Sequence, residues 1–104
     1  MDAVSPIWRW ALADRHCPCM IDCPGHLVFI VCPKCRKLAV VCDEIGMVFA
    51  EPRDLTKGYC GHWRDPSGGH CPNCGSVELD DFEYATLEQV EAAEFTRSQL
   101  IDVG

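Results

Sequence analysis

Two Cys-Pro-x-Cys turns, short runs of β-branched residues beside them, and a capping box ahead of an amphipathic stretch predict a small α+β domain with an antiparallel sheet, stabilised by a metal ion. The turns are Cys32-Pro33-Lys34-Cys35 and Cys71-Pro72-Asn73-Cys74. Two residues between cysteines let a tight turn aim both sulfurs at one ion. Two such turns supply the tetrahedral four-sulfur shell that Zn²⁺ prefers, and iron shares that geometry. The chain has 104 residues, nine of them cysteine. That is the length of one ordinary domain, residues 1–104, and small cores often need a metal or disulfides.

Along the chain, Ser5 and Pro6 suit the cap and first position of a short helix over residues 5–14, and Ala11, Leu12 and Ala13 favour it, with a strand as the competing reading from the partial alternation of Ile7, Trp8, Arg9 and Trp10. Residues 16–26 form a cysteine-rich turn, because Pro18, Pro24 and Gly25 forbid regular structure. Leu27 to Val31, Leu38 to Cys42 and Met47 to Ala50 read as three strands. Gly46 provides positive φ in the turn between the last two. Residues 51–70 are punctured by Pro and Gly, with Cys60, His62 and Trp63 as the residues able to pin them. A strand is expected over Val77 to Tyr84, and a helix over residues 86–100. Thr86 caps that helix and Gln89 completes the capping box. Val90, Ala93 and Leu100, with Leu87 and Phe95, give it a partly apolar face.

The formal net charge is -7, unevenly spread. Arg97 is the single basic residue of 76–104, against eight acidic ones. Phosphate backbones repel such a surface, so nucleic-acid binding is disfavoured for the whole protein and a basic protein partner is favoured. The longest apolar run, Leu27 to Cys32, is far short of a membrane span, so no membrane partner is expected. The amino terminus, Met1 to Ser5, has no basic region followed by an apolar stretch. A cytoplasmic location is therefore expected, where cysteines serve as metal ligands or buried thiols rather than disulfides.

Cys32-Pro33-Lys34-Cys35 with Cys71-Pro72-Asn73-Cys74-Gly75, each leading into a strand, resembles a zinc ribbon of the rubredoxin-like type over about residues 27–84. The resemblance implies zinc on Cys32, Cys35, Cys71 and Cys74, and it says little about function. Zinc ribbons serve as nucleic-acid binders, subunit-docking modules and structural supports. This chain departs from the pattern in its long gap between pairs, in its extra cysteines, and at Arg36. Gly75 is free to take the left-handed conformation after the second pair, whereas Arg36 stands at the same place after the first.

Further ligand types cluster outside the pairs. Cys17, Cys19, Cys23 and His26 surround the early turn, and Cys60 and His62 lie in the long loop. Together they form a pool for a second zinc ion shared between the two irregular segments. Cys42, in an apolar strand, reads as a small buried hydrophobe. A full thiolate shell leaves no open position for catalysis. There is also no His-Glu-x-x-His helix, phosphate loop or nucleophile elbow. The sequence therefore points to a non-enzymatic protein-interaction module, adaptor or inhibitor, without a small-molecule substrate. Trp63, Phe82, Tyr84, Glu78, Asp80 and Asp81 are the candidate partner-binding residues. Two alternatives stand beside it: a nucleic-acid-associated ribbon using Lys34, Arg36 and Lys37, and a structural subunit of a larger complex.

Overall fold

The computed structural model describes residues 10–16, 25–55, 59–63, 65 and 68–102. Seven strands form one sheet among them: β1 Trp10–His16, β2 His26–Val31, β3 Leu38–Cys42, β4 Met47–Phe49, β5 Tyr59–His62, β6 Glu83–Tyr84 and β7 Leu100–Asp102. The order is β5-β4-β3-β2-β1-β7, every pairing is antiparallel, and β6 adds to β2. One edge of β2 is paired with β3 from Leu27 to Val31. The other edge is divided, with β1 taking His26 and Val28 and β6 taking Ile30 and Val31.

Both faces of this sheet are buried. Leu27, Phe29, Val31, Val40, Cys42 and Phe49 point to one side, where Val90, Phe95 and Leu100 cover them. Val28, Ile30, Cys32, Ala39, Val41 and Val48 point to the other, where Cys71, Leu79 and Phe82 cover them. This explains why β2 and β3 read as continuous apolar runs rather than alternating ones: each successive side chain meets a different half of the core. The three central strands lie where the β-branched runs predicted them. Gly46, at φ 77°, closes the β3–β4 turn with its amide on the Cys42 carbonyl at 2.8 Å.

Three expected elements are different. Residues 10–14, expected as the second half of a helix, belong to strand β1; residues 5–9 lie outside the described residues. Leu12 joins one core and Ala11 the other. That alternation and backbone pairing to both β2 and β7 override the helix propensity of Ala11-Leu12-Ala13. Val77 to Tyr84 is not one strand. A 3₁₀ turn, Leu79–Asp81, precedes β6. Leu79 and Phe82 are three apart and both buried on the same side, which a turn of three-residue period achieves and a strand does not.

The helix is shorter than residues 86–100. α1 spans Leu87–Ala92, and Thr86 and Gln89 form the expected reciprocal capping box at 3.1 and 2.8 Å. It ends in a Schellman motif without glycine. Glu94 sits at φ 72°, its amide bonds the Glu91 carbonyl at 2.9 Å, and the Phe95 amide reaches the Val90 carbonyl at 3.4 Å. Phe95 and Val90 share the same core, which fixes the stop. The chain then makes a 3₁₀ turn, Arg97–Gln99, and enters β7 at the sheet edge.

Candidate metal centre

Each cysteine pair is held on a knuckle of nearly identical backbone. In the first, the Arg36 amide donates to the Cys32 carbonyl at 3.0 Å and the Cys32 amide to the Lys37 carbonyl at 3.1 Å. In the second, Gly75 donates to Cys71 at 2.9 Å and Cys71 to Val77 at 2.7 Å. The left-handed residue is Arg36 at φ 65° in one and Gly75 at φ 67° in the other. Proline after each first cysteine sets the φ of the turn. The local result is the same: both thiols of each pair face one point.

The two knuckles meet. Cys32 Sγ lies 3.8 Å from Cys74 Sγ, and Cys35 Sγ lies 3.6 Å from Cys71 Sγ. All four sulfurs fall within 4.8 Å of one another. A tetrahedron with metal–sulfur bonds of about 2.3 Å has edges of about 3.8 Å. A disulfide would need about 2.0 Å. The spacing is that of ligands around one ion, and all four thiols are free. Cys32 and Cys71 are buried, Cys35 and Cys74 half-buried.

Backbone amides prepare the sulfurs for negative charge. The Cys35 amide points at Cys32 Sγ at 3.4 Å, and the amides of Asn73 and Cys74 point at Cys71 Sγ at 3.4 and 3.5 Å. These bonds spread the charge of a thiolate shell over the turn. Burial disfavours the Cys71 thiolate, but the Cys74 and Asn73 amides together with the Cys35 and Cys74 thiols more than offset this and bring its pKa to about 7. Burial, together with the neighbouring Cys32 and Cys71, pushes Cys35 up to about 12. A divalent cation removes that conflict by binding all four as thiolates.

The other candidate ligands are placed as follows. Cys17, Cys19 and Cys23 lie outside the described residues. His26 starts β2, its amide on Asp43 Oδ1 at 2.8 Å and its Nδ1 3.6 Å from Asp43 Oδ2. Cys60 and His62 lie on β5, two strands further across the sheet than β3. His26, Cys60 and His62 form no group of three potential ligands among the described residues. Cys60 packs against the core beneath the cluster, where burial and the nearby Cys71 raise its pKa. His62 is exposed, and Cys42 is fully buried.

Backbone contacts pin the long loop. β5 pairs with β4, the His62 amide donates to the Gly68 carbonyl at 2.9 Å, and Leu79 donates to Gly69 at 2.9 Å. Gly61 lies so close to Gly68 that a Cβ there would run into the Gly68 carbonyl and the Leu79 side chain. The Gly61 and Gly68-Gly69 positions were the signal in the sequence for this contact. Trp63 donates its indole N–H to the Phe82 carbonyl at 3.3 Å and meets Tyr84 edge-to-face at 5.0 Å. Phe82 is buried at 4% exposure, while Glu78 and Asp81 are exposed and Asp80 half-exposed.

No family model, curated protein or solved structure matches the chain. The cluster itself carries the likeness: two Cys-x-x-Cys knuckles with their sulfurs converging on one point make a four-cysteine site capable of metal ligation, in a zinc-ribbon-like module.

Proposed function

We propose that the protein is a non-enzymatic zinc-binding module that works by engaging a partner protein, as an adaptor or inhibitor. The closed four-thiolate geometry carries this reading. With all four positions of a tetrahedral ion taken by protein sulfur, the metal holds the two halves of the fold together and leaves no site for a substrate or an activated water. Zinc bound there would contribute folding energy and no redox chemistry.

The partner side rests on charge. Most acidic residues of the carboxyl-terminal third fall in two stretches. Glu78, Asp81 and Glu83 are exposed on the segment that leads from the second knuckle to Tyr84, and Glu88, Glu91 and Glu94 are exposed on and after α1, while Asp102 lies apart on β7. Such fields raise encounter rates with a basic protein and repel polyanions. Trp63 and Tyr84 supply aromatic surface beside the acidic group, the kind of anchor on which interfaces depend.

The test compares the zinc-loaded protein with a Glu78→Lys, Asp80→Lys, Asp81→Lys variant as bait in native extract. A parallel gel-shift titration at low salt uses mixed single- and double-stranded DNA and RNA. The expected result is a defined basic protein retained by the parent and lost by the variant. Micromolar nucleic-acid binding that weakens when Lys34 and Lys37 become glutamate would replace this reading with the nucleic-acid one.

A further inference from the structure

The left-handed position of the first knuckle is filled by a residue that the turn does not need. Glycine holds the same conformation in the second knuckle, and a Cβ at Gly75 would meet nothing within 4 Å. The turn therefore imposes no steric demand for a side chain. Arginine at φ 65° is nevertheless disfavoured relative to glycine by its own backbone. Strain kept where glycine would relieve it points to a use for the side chain.

That side chain lines a cleft of about 280 Å³ between the first knuckle and the end of α1. Lys37 lines it from the same knuckle and Arg53 from the β4–β5 connection, with Asn73 contributed by the second knuckle. Arg53 is fixed there: it donates to the Ala93 carbonyl at 2.6 Å and stacks its guanidinium 4.1 Å over the Phe95 ring. It thus covers the carbonyl end of α1, which would otherwise repel an anion. Glu51 is the one carboxylate among the described lining residues. Arg36 and Lys37 are exposed.

We propose that this cleft is a binding site for a single phosphate group, free or carried as a monoester, with Arg36 as its principal ligand. A planar guanidinium grips phosphate through two parallel hydrogen bonds, which lysine does less well. Fold and charge limit the ligand to one phosphate. Glu88, Glu91 and Glu94 are exposed on and just after α1, whose Gln89 and Ala92 line the cleft, and this charge disfavours a long polyanion. This site is independent of the acidic-surface reading above, and either can fail without the other.

The experiment is an amide NMR titration of the zinc-loaded full chain with inorganic phosphate, O-phospho-L-serine and a 12-nucleotide single strand, at constant ionic strength. Saturable shifts centred on Arg36, Lys37, Arg53 and Asn73 are expected with the first two. R36G should weaken phosphate binding at least tenfold, roughly the worth of a charge-assisted bond pair, without lowering the thermal midpoint of the zinc-loaded protein. K37Q gives a second, unstrained variant, with a loss of about threefold to tenfold expected. Unchanged phosphate binding in R36G would overturn the proposal. So would a loss of zinc affinity without a change in phosphate binding, which would make Arg36 a counter-charge to the thiolates. Length-dependent binding of the single strand in preference to phosphoserine would also overturn it.

Discussion

The first knuckle hangs between the two longest-paired strands of the sheet, and the second hangs from almost nothing. β2 and β3 pair residue by residue from Leu27–Cys42 up to Val31–Leu38, so Cys32 to Lys37 is the tip of a hairpin with both faces buried. Cys71 to Val77 is flanked by one isolated bridge, His70–Glu78, and a single 3₁₀ turn. A similar turn is thus templated by a long strand pair in one case and by a single bridge in the other. The half of the core behind Val28, Ile30 and Val41 depends on that second, weakly anchored knuckle, because Cys71, Leu79 and Phe82 cover it.

Removing the metal should break this asymmetry open, and it is the largest effect expected. Structural zinc contributes on the order of 10 kcal/mol of apparent binding energy, comparable with the whole stability of a domain. Chelated protein, or Cys74→Ala, should lose amide protection across residues 69–82 first, with the β2–β3 amides protected longest. Hydrogen exchange read by NMR checks the order. A well-dispersed spectrum from the fully metal-free chain would show that the sulfur shell is not what joins the knuckles.

Acid should act in the same direction. Cys35, pushed up to about 12 by burial and its neighbouring thiols, keeps its proton through the neutral range and must release it to bind metal. Protons and zinc therefore compete, and affinity falls as pH falls. The expected slope is at least tenfold per pH unit, about 1.4 kcal/mol. Competitive chelator titrations between pH 8 and 6 measure it, and a flat profile would show that zinc is not held by thiolates. In the metal-free chain Cys35 acts oppositely. Its folded value lies above the ordinary 9.0, so its contribution to stability is present below pH 9 and lost as pH rises towards 12.

The contrast between knuckles also separates what the sequence discloses from what it does not. The cysteine spacing and the Pro after each first cysteine are local, and they located the cluster and the first hairpin. The capping box at Thr86 and Gln89 is local as well. Much of the rest is decided by distant contacts. Ala11-Leu12-Ala13 has helix propensity but lies between two strands that give its backbone partners. α1 stops at Ala92 because Phe95 must reach the Phe29 ring, 4.9 Å away, and Glu94 takes the left-handed position without the glycine that would have announced it. β7 needs β1 as a partner before residues 100–102 become a strand at all. The Cys60–His62 spacing suggested a metal role; β5 sets His62 opposite Met47 of β4, and the cysteines proposed to share that ion, Cys17, Cys19 and Cys23, lie outside the described residues.

The loop beneath the second knuckle offers a smaller break. Gly61→Ala would drive a methyl group into the Gly68 carbonyl and Leu79, so β5 or the Gly68-Gly69 segment must move. Forced repacking of this kind costs typically 1–3 kcal/mol, and about 2 is expected here because the obstructing atom is backbone. Denaturant midpoints of the zinc-loaded proteins measure the loss. Since Leu79 belongs to the core behind the knuckle, slower zinc loading should accompany it. A stability change under about 0.5 kcal/mol would show that the glycine contact does not hold the loop.

The smallest change isolates backbone from contact. At Gly75 a new Cβ meets nothing within 4 Å, so Gly75→Ala adds strain at φ 67° and no clash. The left-handed conformation costs an ordinary side chain about 1–2 kcal/mol, and alanine recovers up to 1 kcal/mol by restricting the unfolded chain. A net loss of about 1 kcal/mol is therefore expected in the zinc-loaded protein. Arg36 already carries that strain in the first knuckle, where β2 and β3 hold both ends of the turn. The second knuckle has no such support, so the alanine strain should appear partly as weaker metal retention rather than only as a lower folding midpoint. Measuring both quantities in Gly75→Ala distinguishes the cases. Equal zinc affinity with a reduced midpoint would mean that the second knuckle is as firmly templated as the first. Faster zinc release, with the β2–β3 amides still protected, is the result that the uneven anchoring of the two turns requires.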